Sequence, residues 1–224
     1  MILISSLVLK SSFVRSLGNC KTLSSFAMVE PKLIVFDLDY TLWPFWVDTH
    51  VDPPFHKTSD GKVYDAHQQR VKYYKEVPDI LNHLHKSGFQ LAIASRTSAI
   101  AEANELTKLF NWDQYFQYRQ IFPGSKITHF KKLHSLSGVP YEEMLFYDDE
   151  HRNILDVSSL GVLCMLVNDG LNINQLYRGF DDFQERAVAK LKKKRKRRKS
   201  KRRPSRRRYT LDDASTSSSS SFSQ

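Results

Sequence analysis

Five short apolar runs punctuate the chain: KLIVF (32–36), FQLAIAS (89–95), YRQIF (118–122), EMLFY (143–147) and GVLCMLV (161–167). They are nearly continuous in hydrophobicity. A sheet with one wet face would alternate apolar and polar residues, so such runs suit strands covered on both faces. The segments between them carry helix punctuation. VPDILNHLHKSG begins beside Pro78 and stops at Gly88, and TSAIAEANELTKLF opens on Thr97 and Ser98, which predicts a cap there. GSKITHFKKLHSLSG and DEHRNILDVSSLG each close on a glycine. Strand–helix alternation with short links predicts an α/β fold, a Rossmann-like parallel sheet flanked by helices. Residues 48–74 hold Pro53, Pro54, Asp60 and Gly61, turn formers that predict a small hairpin or flap above the sheet. INQLYRGFDDFQERAVAKLKKK has apolar positions at helical spacing and is expected to be the last helix.

The first run ends in two aspartates, Asp37 and Asp39, with Leu38 between them. A carboxylate at the end of a buried strand is costly unless it is paired or bound to a metal. Ligands of open parallel sheets bind at the carboxyl ends of the strands, so polar residues that terminate the apolar runs should converge. Ser95, Arg96 and Thr97 follow the second run, Lys126 opens a helix after IFPGS, and Asp148 and Asp149 follow MLFY. Four acidic groups, a hydroxyl and two cations at one edge make a site for a divalent metal and a phosphate. Trp43 and Trp46 beyond the aspartates could simply be core, and Trp43 is read so. Thr41 is expected to support the loop by hydrogen bonding. None of the eight histidines forms a ligand-spaced cluster.

DLDYTL fits the DxDxT signature of the haloacid dehalogenase (HAD) superfamily of aspartate-nucleophile phosphatases. With ASRTS, PGSK and FYDDEHRNI, the stretch from Pro31 to Phe183 resembles the eukaryotic magnesium-dependent phosphatase-1 family. The resemblance implies a HAD-type sheet with minimal or no cap domain. It makes Asp37 the nucleophile that forms an aspartyl-phosphate, and Asp39 the group that protonates the leaving oxygen and then activates water. A carboxylate attacking a phosphate dianion meets charge repulsion, which Mg2+ offsets. The implied metal ligands are the carboxylates of Asp37 and Asp149 and the carbonyl of Asp39, with Asp148 behind them. The implied phosphate contacts are the Leu38 N–H, the Ser95 hydroxyl, Arg96 through its N–H or guanidinium, and Lys126, while Trp46 lines the entrance. Sugar phosphates, phosphorylated sugar adducts or protein phosphotyrosine are the implied substrates.

Charge divides the chain. From Lys190 to Arg208 fifteen of nineteen residues are Lys or Arg; the 189 residues before them hold nineteen cations against twenty-two acidic residues, a net charge of −3. The basic pI therefore describes an appendage. Residues 190–224, basic and then Ser-rich, are expected to be disordered. The basic part, 190–208, suits non-specific nucleic-acid binding or a nuclear address, the basis of an alternative reading as a nuclear or RNA-associated interaction protein. Residues 1–28 form an extension rich in Ser, with three cations and no acid, of mitochondrial-transit character, leaving 29–189 as the phosphatase-like domain. Cytoplasm and nucleus are the expected locations, with mitochondrial targeting through residues 1–28 open. Cys20 and Cys164 suggest neither a disulfide framework nor a zinc site, no run reaches the ~18–20 apolar residues of a membrane span, and a monomer is expected.

Overall fold

The computed structural model describes residues 29–201. KLIVF forms β1 (Leu33–Phe36), and the excursion after it folds into three two-residue antiparallel strands, β2 (His56–Lys57), β3 (Val63–Tyr64) and β4 (Arg70–Val71). The rest alternates as predicted: α1 (Val77–Lys86), β5 (Gln90–Ser95), α2 (Ile100–Leu109), β6 (Phe116–Ile121), α3 (Lys126–Ser137), β7 (Met144–Asp148), α4 (His151–Ser158), β8 (Leu163–Leu166) and α5 (Ile173–Lys201). The large sheet has the order β6-β5-β1-β7-β8, all pairs parallel. The chain runs outward from β1 to β6 and then returns to β7, so the order reverses beside β1. That reversal opens a crevice at the carboxyl end of the central strand.

Alternation along each strand explains the continuous hydrophobicity. Ile34, Phe36, Leu91, Ile93, Leu145 and Tyr147 point to one face and pack with Ile80, Leu84, Leu106 and Leu176. Leu33, Val35, Ala92, Ala94, Met144 and Phe146 point to the other and pack with Phe130, Leu133 and Val157. Each face thus buries its own core, and a polar residue inside either one would lose its water without recompense.

Local chemistry sets the helix bounds. Ser125 caps α3 by accepting from the Ile127 N–H at 3.2 Å, and Gly138 ends it at φ 69°, a left-handed position that favours glycine. The cap expected of Thr97 or Ser98 is not formed. Thr97 Oγ1 accepts from the Ala99 N–H at 3.1 Å, and α2 begins only at Ile100, because this threonine turns the chain out of the strand before the helix starts.

Among the described residues, the chain divides into two units between Ala187 and Val188. α5, expected from INQLYRGFDDFQERAVAKLKKK over residues 173–194, continues to Lys201. Lys and Arg have high helix propensity and a nucleated helix is easily extended, against the repulsion of like charges three and four residues apart. The expectations for residues 1–28 and 202–224 lie outside the described residues.

Within the first unit, a Cβ built on Gly179 of α5 would fall on the hydroxyl of Tyr147, which donates to the Leu176 carbonyl at 2.9 Å. Gly179→Ala is expected to destabilise the fold by about 1–3 kcal/mol through overpacking. Thermal denaturation measures it, and an unchanged melting temperature would mean that this close approach is not needed.

Candidate active site

The Asp37 N–H continues the sheet ladder by donating to the Tyr147 carbonyl at 3.0 Å, so this carboxylate is carried on the rigid end of β1. The chain then turns tightly. The Leu38 carbonyl accepts from the N–H groups of Thr41, Leu42 and Trp43 at 3.2, 2.8 and 3.3 Å. Tyr40 within the turn has φ 51°, an uncommon conformation for a bulky residue and one found where a site imposes strain. Thr41 supports the loop through its backbone N–H, while its hydroxyl has no hydrogen-bond partner among the described residues.

The predicted residues meet at one cleft. Asp37, Asp39, Trp46, Ser95, Arg96, Lys126 and Asp149 line it, and so do Asp48, Thr97, Glu150, Arg152 and Asn153. The Leu38 side chain is buried beneath. Lys126, 1% exposed, uses all three of its donors: it bonds Asp37 Oδ1 and the Ala94 carbonyl, and lies 3.0 Å from Asp148 Oδ2. Asp148 is saturated. Its Oδ1 accepts from the Glu150 N–H at 2.8 Å and Asn153 Nδ2 at 3.0 Å, while Asn153 also reaches Oδ2 at 3.2 Å. Asp37, Asp148 and Asp149 each offer an oxygen within 4.8 Å of the others'. Three clustered carboxylates, two of them buried, outnumber the one ammonium beside them. Hard oxygen donors in that arrangement suit a magnesium-like cation.

The electrostatics follow from this crowding. Burial pushes the Asp37 pKa well up, Lys126 opposes it, and the neighbouring Asp148 and Asp39 add to it. Burial works against the charged form of Lys126, but Asp37 and Asp148 more than offset it and its pKa is raised. Burial lifts Asp39 to about 6 against the hydrogen bonds from Trp43 and Val47, and burial with neighbouring Asp148 lifts Asp149 to about 6.

Arg96 is braced. Its Nε donates to the Gly124 carbonyl at 2.8 Å, and Nη1 lies 3.3 Å from both Glu150 Oε2 and Asn153 Oδ1. Glu150 is also held by Arg152, at 2.8 and 3.2 Å. Beneath the cleft, His129 Nε2 lies 2.9 Å from the carbonyls of both Ser95 and Phe122, tying together the ends of β5 and β6. Trp46, 50% exposed, stacks on His50 at 5.3 Å and meets Tyr40 edge-on, forming an aromatic lip. Sequence reasoning passed over Asp48, Glu150, Arg152 and Asn153. The stretch EHRNI after the acidic pair held three of them, all polar at the start of a helix beside a strand end.

A family model described as Acid Phosphatase matches residues 29–186. The chain belongs to this acid phosphatase family. Human magnesium-dependent phosphatase 1 is 54% identical over 162 residues, which span 72% of this chain and 92% of the human protein. A HAD-like hydrolase superfamily protein of Schizosaccharomyces pombe is 40% identical over 156 residues, 64% of this chain and 90% of that one. The phosphatase also shares its fold with a HAD-superfamily hydrolase from Ehrlichia chaffeensis, with a TM-score of 0.51 and 13% identity over 70% of this chain and 99% of that one. Its parallel sheet flanked by helices is the HAD-type fold, as the motifs implied.

Proposed function

We propose that this phosphatase hydrolyses phosphomonoesters of small molecules, with magnesium, through a phosphoryl group carried on Asp37. The observation that carries the reading is the buried junction of Lys126 with Asp37 and Asp148, beside Asp149, at the end of the central strand. Lys126 holds Asp37 Oδ1, which leaves the second oxygen to attack phosphorus in line. As the P–O bond to the leaving group breaks, Asp39 gives its proton to the departing oxygen. Asp39 then takes a proton from water as that water attacks phosphorus, releasing phosphate and restoring the Asp37 carboxylate. The Lys126 ammonium supplies positive charge beside the phosphoryl group, whose oxygens the Ser95 hydroxyl and the backbone N–H groups of Leu38 and Arg96 hold. Nε and Nη1 of Arg96 are turned to Gly124, Glu150 and Asn153, and its backbone N–H is assigned this part. Asp37, Asp149 and the Asp39 carbonyl would hold magnesium, while Asp148, its oxygens already engaged, orients them. The ion supplies charge neutralisation between nucleophile and phosphate.

The substrate side is open: the excursion over the sheet amounts to three two-residue strands, and the lip is aromatic. Sugar phosphates and phosphorylated sugar adducts are the first expectation, and protein phosphotyrosine the second. A panel of both classes, assayed with magnesium and then with a chelator, tests this. Turnover should vanish with the chelator and return when magnesium is restored in excess. Metal-independent turnover, or none of either class, would refute the proposal.

The basic run favours a further, compatible reading, binding of polyanions by residues 190–208. Truncation after Ala189 should leave phosphatase turnover unchanged and abolish salt-sensitive RNA binding.

A further inference from the structure

We propose that Trp43 is a positioning residue for Asp39, its indole N–H determining which carboxyl oxygen faces the substrate; this rests on the reading of Asp39 as the proton donor. Trp43 is wholly buried, and its Nε1 donates to Asp39 Oδ1 at 2.7 Å. The Val47 N–H donates to the same oxygen at 3.3 Å. Two donors engage both lone pairs of Oδ1, whereas Oδ2 has no hydrogen-bond partner among the described residues. The proton that Asp39 passes on therefore sits on Oδ2, which is free to meet the leaving oxygen.

A buried indole N–H needs an acceptor, and a backbone carbonyl would have served. Here the acceptor is instead a carboxylate lining the cleft. The terminal torsion of an aspartate is otherwise broad, so two donors on one oxygen are what hold this carboxyl in a single orientation. The indole itself cannot turn. Its ring stacks on Phe45 at 5.3 Å and on Trp112 at 6.2 Å, with interplanar angles of 1° and 12°. The hydrogen-bonded turn on the Leu38 carbonyl brings Trp43 back beneath Asp39, so the core reaches the chemistry through one N–H.

Departure of 4-nitrophenolate needs no proton, whereas phenolate and alkoxide leaving groups do. The test replaces Trp43 with benzothienylalanine, which keeps the bicyclic ring and lacks the N–H, in the full-length protein with magnesium. Values of kcat/KM are then measured across 4-nitrophenyl phosphate, phenyl phosphate and glycerol 3-phosphate. A carboxyl released from its orientation should lose roughly 10–100-fold on the latter two and less than about 3-fold on the first. Trp112→Phe, which loosens the same stack without touching Asp39, should lower all three alike. A uniform loss in the position-43 variant, equal to that of Trp112→Phe, overturns the proposal. Asp39→Asn separates the two readings. If it steepens the leaving-group dependence and the position-43 variant does not, only the role of Trp43 falls. If it leaves the dependence unchanged, Asp39 is not the proton donor and both fall.

Discussion

Asp37→Asn is expected to abolish phosphomonoester turnover, by on the order of 10⁴-fold or more, because an amide cannot supply the attacking oxygen. The fold should survive the change. The asparagine carbonyl can still accept from Lys126, which keeps its contacts with Asp148 and the Ala94 carbonyl. Rapid-quench phosphate release should show no burst, while the melting profile stays cooperative. Residual turnover within about 100-fold of wild type would place the nucleophile elsewhere and remove the mechanism proposed for this site.

Lys126→Met should damage both activity and stability. The side chain is buried and, among the described residues, is the one cation in contact with Asp37 and Asp148, two carboxylates on neighbouring strand ends. Methionine nearly fills the space but leaves those carboxylates without their counter-charge, at a cost of about 3–5 kcal/mol. For a domain of this size that corresponds to a fall in melting temperature of roughly 6–20 °C. Losing the positive charge beside the phosphoryl group should cost a further ~10²–10³-fold in kcat. Lys126→Arg is not expected to rescue either quantity, because a planar guanidinium does not match three acceptors gathered around one nitrogen. A Met variant as stable as wild type would mean that the two carboxylates do not depend on this cation.

The fold was largely readable from the chain because its information is local. Continuous apolar runs mark strands covered on both faces, and Ser125 and Gly138 mark the ends of a helix through bonds to their own neighbours. The candidate site was readable for a different reason. In a parallel sheet every strand points the same way, so the polar residues that end the runs are carried to one edge whatever the strand order. That reasoning brought Asp37, Ser95, Lys126 and Asp149 together without any knowledge of which strand lies beside which. Local patterning did not mark where the last helix ends: α5 runs beyond Lys194 as far as Lys201.

Other features depended on contacts that hydrophobic periodicity does not reveal. Trp43 reads as core by its surroundings, and it is core; nothing in DLDYTLW indicates that a turn would bring its N–H onto Asp39. The bracing of Arg96 by Glu150 and Asn153 joins residues more than fifty positions apart. The amino-acid sequence alone determined the kind of sheet, its buried faces and the chemical groups at its edge, because periodicity and strand direction act residue by residue. Tertiary structure alone decided the strand order, the three partners of Lys126 and the orientation of Asp39. Those depend on side chains 4 to 89 positions apart meeting within hydrogen-bond distance, and such short-range forces act only after the chain has closed upon itself.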